Sequence, residues 1–565
     1  MKLSFMPFIF LASTVSNALD LIVDLGYSKY EGIALQNGVS QWLGIRYAAP
    51  PLGNLRFAAP HTPLTTTELQ KADKHGFICL ANQQGPGLLF NSSRLPMDED
   101  CLFLDVWAPT HAHTTSKLPI VVFIQGGGWA LNANANYNGS LLVQNSDYNM
   151  IVISLNYRVG LLGTLASQEV IDGGSLNNGL KDVMFVLQWV QDQTHLFGGD
   201  CNHVALSGDS VGAEIITHLL AAYNGTGLPE YFHAAAAESI SYAGNGQIAD
   251  LQFRYNDLTG ATGCSNATDT LSCLRALDIT DLQVKSPYFN WNPTIDNDIV
   301  VAPLYQMYEQ RRFRKVPIIY GSTTDEGPRV ANKTVTTDTL DAAFRNIVGN
   351  ITHAQIAELK NVYPESFNHF TPQGLVLNAS YPDAGDQWQR FAVFIGDYGV
   401  QCIAEFKSDM HDLAGNTANW HYRYDVVDPR DLASGDRAYH VVELNAIWGP
   451  NYTDGNPPPS YYIPNPEGGN ADIIPIIQSY WISFIRTFDP NTLRLPGLAE
   501  WTPWTLQGRQ RLLFHSNGIA MERMPDADRE RCKLAIQYAK ARNGFATPLT
   551  TLPPFANGTF PDPYQ

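Results

Sequence analysis

The chain has 565 residues, 44% of them apolar and 16% charged, which suits a large globular core. Its formal charge of -18 excludes a nucleic-acid binder, because phosphate contacts need clustered Lys and Arg. No run after the N-terminus is long and apolar enough to be an integral membrane segment.

Residues 1–18 read as a signal peptide: Lys2 supplies charge, Leu3 to Leu11 the apolar stretch, Ser16-Asn17-Ala18 the cleavage site. Nine Asn-x-Ser/Thr sequons follow, at Asn91, Asn138, Asn224, Asn266, Asn332, Asn350, Asn378, Asn451 and Asn557. Together they predict a secreted, extracellular glycoprotein. In an oxidising compartment seven cysteines leave one unpaired. Cys264 and Cys273 bracket a short polar loop, and Cys79 and Cys101 bracket another. Cys201 is expected to be buried and free, and no Cys/His cluster has metal-ligand spacing.

Leu19–Val23 and Gly32–Trp42 alternate like strands of an N-terminal meander. Glu99–Trp107 reads as a strand entered from a loop. Pro119–Ile124, Met150–Leu155, Val204–Leu206 and Val316–Tyr320 are short apolar runs, as in strands buried on both faces. Asn178–Phe197 has helical spacing through Leu180, Val183, Leu187 and Val190. Strands alternating with helices predict a parallel sheet covered on both sides, with ligands beyond the strands' carboxyl ends. From about Thr339 to Gln478 the pattern blurs. No clean linker interrupts the chain, so residues 19–565 are expected to form one catalytic domain.

Gly208-Asp-Ser-Val-Gly212 places a serine between glycines where Val204–Leu206 gives way to helical spacing from Ala213. Such a strand–turn–helix elbow lifts a serine hydroxyl above the sheet and aims a helix N-terminus at it. Gly126-Gly-Gly128 ends another buried strand. No Lys follows at the spacing a phosphate loop needs, and an oxyanion loop fits better. Serine needs a base, and the base needs an orienting acid. Asp325 and Glu326 both lie just past a strand end, and spacing alone does not choose between them. Six histidines follow; His421 sits in a strand-like alternation, and His440 follows a polar loop as a catalytic histidine would.

These residues resemble the type-B carboxylesterase/lipase family, which includes the cholinesterases. The resemblance also rests on Gly44–Phe57, Glu99–Leu104, Asn156–Gly160, Trp189–Asp200, Asp325-Glu-Gly327 and His440–Gly449. It implies an α/β-hydrolase fold: a large, mostly parallel central sheet, helices on both faces, and helical insertions over an active-site gorge. It selects Ser210 as nucleophile, Glu326 as acid and His440 as base, with Glu443 at the family's spacing. Gly127, Gly128 and Val211 become the oxyanion donors. Disulfides Cys79–Cys101 and Cys264–Cys273 are implied, leaving Cys402–Cys532 by elimination. Arg56–Glu99 and Arg158–Asp182 resemble the family's internal ion pairs.

The implied activity is that of a secreted, fungal-type carboxylic-ester hydrolase, acting through an acyl-enzyme on a small-molecule ester and needing no cofactor. A triacylglycerol lipase is the alternative. An inactive adhesion protein is disfavoured, because such members lose the serine. Three features depart from the family's usual pattern: Gln125 before the glycines, Asp209 in place of Glu before the serine, and a 79–101 loop without tryptophan. The last weighs against choline esters. That loop has one compact apolar cluster, Leu88-Leu89-Phe90, small for a lipid-docking lid.

Overall fold

The structure is a computed structural model that describes residues 20–81, 96–242, 244–287, 292–349, 351–369, 384–453 and 456–542. The signal segment, the Leu88–Phe90 cluster and the sequons at Asn91, Asn350, Asn378 and Asn557 lie outside these residues.

Eleven strands make the central sheet: β1 (Ile33–Ala34), β2 (Val39–Arg46), β3 (Phe103–Pro109), β4 (Leu118–Ile124), β5 (Ile151–Leu155) and β6 (Gly199–Asp209), then β7 (Ala234–Glu238), β8 (Ile318–Thr323), β9 (Asn419–Asp425), β10 (Gln510–His515) and β11 (Gly518–Arg523). Their order across the sheet is β11-β10-β9-β8-β7-β6-β4-β5-β3-β2-β1. From β10 to β5 all neighbours are parallel, and the pairs at both ends are antiparallel. The expected N-terminal meander is only partly found. Lys29–Glu31 pairs with Ile22–Asp24 on one side and Leu69–Lys71 on the other in a separate three-stranded sheet, while β1 and β2 extend the large one.

The apolar runs are explained by burial on both faces. In β4, Ile120, Val122 and Ile124 enter one core cluster, and Val121 and Phe123 enter another on the opposite face. β6 splits likewise, Val204 and Leu206 against Ala205. The first core is closed by helices α1 (Asn178–Gln193) and α2 (Val211–Ala221), the second by α4 (Ile473–Thr487). α1 presents Leu180, Val183, Leu187 and Val190 inward, as its spacing predicts. Burying one such side chain contributes about 1.5–3 kcal/mol.

Three disulfides are present: Cys79–Cys101, Cys264–Cys273 and Cys402–Cys532. The last joins α3 (Cys402–Leu413) to α5 (Asp526–Arg542). Cys201 is free, but half-buried rather than buried as expected, because it lies in the first, outer residues of β6. Arg56 and Glu99 form a buried two-pronged pair, at 2.6 and 2.7 Å. Arg158 and Asp182 form another, at 2.8 and 2.7 Å. Both arginines also donate to carbonyls, Leu277 and Ala58 respectively, so little of either guanidinium is left unsatisfied by its burial.

Candidate active site

The site lies at the carboxyl ends of β4, β6, β7 and β8. Ser210 occupies the single-residue elbow between β6 and α2, at φ 53° and ψ -118°. Such a conformation persists only where neighbours hold it. Its N–H donates to the Glu238 carbonyl at 2.9 Å, and its carbonyl accepts from Glu214 at 3.0 Å and Ser241 at 3.3 Å. The flanking glycines are required by close approach. A Cβ on Gly212 would lie 1.8 Å from the Ile124 carbonyl oxygen, and one on Gly208 2.8 Å from it.

His440 Nε2 is 2.9 Å from Ser210 Oγ, and His440 Nδ1 is hydrogen-bonded to Glu326 Oε2. The structure thus brings the three expected side chains together. Glu326 is fully buried three residues beyond β8, where its Oε1 accepts from Thr323 N–H and Ser239 Oγ, both at 2.7 Å. Gly327 behind it must be glycine, since a Cβ would sit 1.7 Å from the Ala392 carbonyl oxygen.

Asp325, the competing carboxylate, faces away from His440. It pairs with Arg437 in the loop carrying His440, and that loop's Ala438 N–H approaches its other oxygen at 3.4 Å. Backbone joins them too: Asp325 N–H donates to Ala438 O at 3.0 Å. Around this loop Arg329 bonds Asp431 and Asp436, at 3.0 and 3.2 Å, and lies over the Tyr439 ring. His421, the other strand-like candidate, is buried in β9 and bonded to Ser408, remote from Ser210.

Burial lowers the affinity of His440 for a proton, but the Glu326 charge and hydrogen bond, with Glu443 and Asp209 beyond, outweigh it. The net effect raises its pKa above 6.5. Glu443 is pushed up to about 7, by burial first and then by the Glu326 charge. Ser239 explains how the two acids coexist. Its hydroxyl is 2.7 Å from Glu326 and 2.6 Å from Glu443. One hydroxyl carries one proton, so Ser239 donates to only one of the two at a time, and Tyr422 OH also donates to Glu443 Oε1, at 3.0 Å. Ser239 was not legible in the sequence, where it follows an alanine run. Its φ of 47° at the end of β7 is a tertiary outcome.

The glycine loop follows β4 directly. Gly127 and Gly128 have φ of 127° and 64°, and Gly128 is open to solvent. No hydrogen bond engages the N–H of either among the described residues. Val211 opens α2, so its N–H belongs to the first turn, which no helix carbonyl reaches. Burial pushes Asp209 up to about 6, against the pull of the Gly126 N–H, His440 and Asn134.

A parallel sheet with a serine elbow at its carboxyl edge defines an α/β-hydrolase. The chain belongs to the carboxylesterase family, whose model matches residues 20–532. It is therefore a carboxylic ester hydrolase. Among similar proteins, "Secreted lipase 1" of Botryotinia fuckeliana is 28% identical over 522 residues, covering 85% of this chain and 86% of that one. "Para-nitrobenzyl esterase" of Bacillus subtilis is 28% identical over 536 residues, covering 90% and 98%. The crystal structure of Aspergillus niger EstA matches with a TM-score of 0.83 and 33% identity, over 93% of this chain and 99% of that one. No helix among the described residues is long and apolar enough to cross a membrane.

Proposed function

We propose that this ester hydrolase works through a Ser210–His440–Glu326 triad and an acyl-enzyme intermediate. The observation that carries the reading is the continuous line from Ser210 Oγ through both imidazole nitrogens to a buried carboxylate. Ser210 Oγ attacks the ester carbonyl as His440 Nε2 takes its proton. Glu326 holds the ring and stabilises its cation. The tetrahedral oxygen accepts from Gly127, Gly128 and Val211 N–H, donors each worth on the order of 3 kcal/mol in the transition state. His440 returns the proton to the leaving alcohol. Water, activated by the same nitrogen, then releases the acid.

We also infer secretion and glycosylation. Three disulfides suit an oxidising compartment. Of the described sequons, Asn224, Asn266, Asn332 and Asn451 are exposed and Asn138 is half-buried. A mass shift on endoglycosidase treatment of the native protein tests this.

An organophosphate tests the triad: one adduct at Ser210 with complete loss of activity supports it, and an adduct elsewhere sinks it. The relatives named lipases favour a second reading, action at an oil–water interface. Rate against short-chain triacylglycerol concentration decides it. Smooth saturation through the solubility limit supports an esterase, and a sharp rise once droplets form supports a lipase.

A further inference from the structure

Glycines let a backbone approach an oxyanion but leave its position loosely specified. Here the loop after β4 is held from outside by side chains that the triad does not use. Gly126 N–H donates to Asp209 Oδ1 at 2.9 Å. The Asn134 amide donates to both oxygens of that carboxylate, at 3.3 and 3.2 Å. Asn134 N–H in turn donates to Gln125 Oε1 at 2.9 Å. Gln125 Nε2 donates to the Leu155 carbonyl and to Asn156 Oδ1, both at 3.0 Å, at the end of β5. Tyr157 OH donates to the Gln125 carbonyl at 2.7 Å. The two departures from the family's usual residues, Gln125 and Asp209, are thus linked through Asn134. Gly126 must be glycine for this carboxylate to sit against the loop, since a Cβ there would lie 2.6 Å from Asp209 Oδ2.

We propose that Asn134, with Gln125, is a positioning residue for the oxyanion donors: it locks the carboxylate of Asp209 against Gly126 N–H and ties that lock to the end of β5. The proposal rests on Gly127 and Gly128 being oxyanion donors. It assigns Asn134 no contact with substrate. Removing the strap lets Gly127 and Gly128 drift, and misplacement by about 1 Å can cost on the order of a hundredfold in rate. Ground-state binding does not use these donors, so KM stays in place.

The test uses the full chain, with active sites counted by organophosphate titration. An aryl trifluoromethyl ketone, which adds to serine and leaves an oxyanion, is compared with the matching methyl ketone. Asn134→Ala is expected to lower kcat about tenfold to a hundredfold, with KM unchanged, and to weaken the trifluoromethyl ketone by a similar factor. Asn134→Asp, of the same shape but facing Asp209 with a second carboxylate, should lose at least as much. The proposal is overturned if Asn134→Ala binds the trifluoromethyl ketone as tightly as the parent, or if its rate loss vanishes once inactive molecules are discounted. If the parent itself binds both ketones equally, the oxyanion reading fails, and the strap with it.

Discussion

The two sides of the site are built by different physics. The serine side is held by backbone fitted against backbone: Gly208 and Gly212 press on the Ile124 carbonyl, and β6 feeds α2 through one residue. The histidine side is held by charge. The loop carrying His440 is tied down by Arg437–Asp325, Arg329–Asp431 and Arg329–Asp436, and its carboxylates share Ser239. Steric fit tolerates no substitution but is indifferent to pH. Charge tolerates some substitution but titrates. The difference predicts which changes abolish the reaction and which only move its pH dependence.

The largest effect belongs to the serine side. Ser210→Ala should lower kcat by about 10⁵–10⁶ with little change in Tm, because the elbow is shaped by the glycines and not by the hydroxyl. Activity retained in that variant, measured with a chromogenic ester, would remove the comparison's foundation. Glu326→Gln should cost about 10⁴, leaving the imidazole without its anion. Asp325→Asn should cost far less, about tenfold, because it loosens the loop without touching the ring. Equal losses in the two variants would mean that the two carboxylates do not divide their roles in this way.

The serine side was the readable one, for the same physical reason. Its glycines are demanded by local geometry, so Gly126–Gly128 and Gly208–Gly212 stand out without any knowledge of what packs on them. His440 and Glu326 lie 114 residues apart and meet only in the folded state. Spacing could not separate Asp325 from Glu326; the resemblance did. The separation is now physical, since adjacent residues leaving a strand point opposite ways, one to Arg437 and the other to His440. Asn134 was hidden in an Asn-rich stretch with Asn132, Asn136 and Asn138, where nothing local marks the one that reaches Asp209.

On the charged side, pH should act through His440. Its pKa is raised, and as the proposed base it must be neutral to take the serine proton, so kcat/KM should fall as pH drops through a midpoint above 6.5. Glu443 helps to raise it. Glu443→Gln should therefore move this acid limb to lower pH, by less than the loss of Glu326 would. A limb that stays in place, or moves up, would show that Glu443 exerts no charge on His440.

The smallest effect concerns stability and lies behind the serine, where the backbone side holds a charge-capable group of its own. Glu214 sits one turn into α2, buried, with the Trp129 indole N–H nearby but neither of its oxygens in a close, well-aligned hydrogen bond with the described residues. His218 Nε2 lies 3.4 Å away, but burial and then the nearby Lys407 push that imidazole down to about 3, so it brings no charge. Burial pushes Glu214 up to about 8, against the Trp129 indole N–H and Lys407. The folded chain therefore keeps a proton that the unfolded chain releases near the ordinary value of 4.5. Folding binds more protons throughout this window, so the contribution is full below about pH 4.5 and is lost as pH rises through about 8. Glu214→Gln keeps the shape and removes the titration. Near pH 5 parent and variant should differ little in this respect. At pH 8 the variant should be the more stable, by on the order of 3 kcal/mol, a shift of a few degrees in Tm for a chain of this size. Matched thermal scans at the two pH values measure it. A Tm difference that does not change with pH would show that Glu214 is ionised throughout, with Lys407 as its partner. The serine side would then depend on charge as much as the histidine side does.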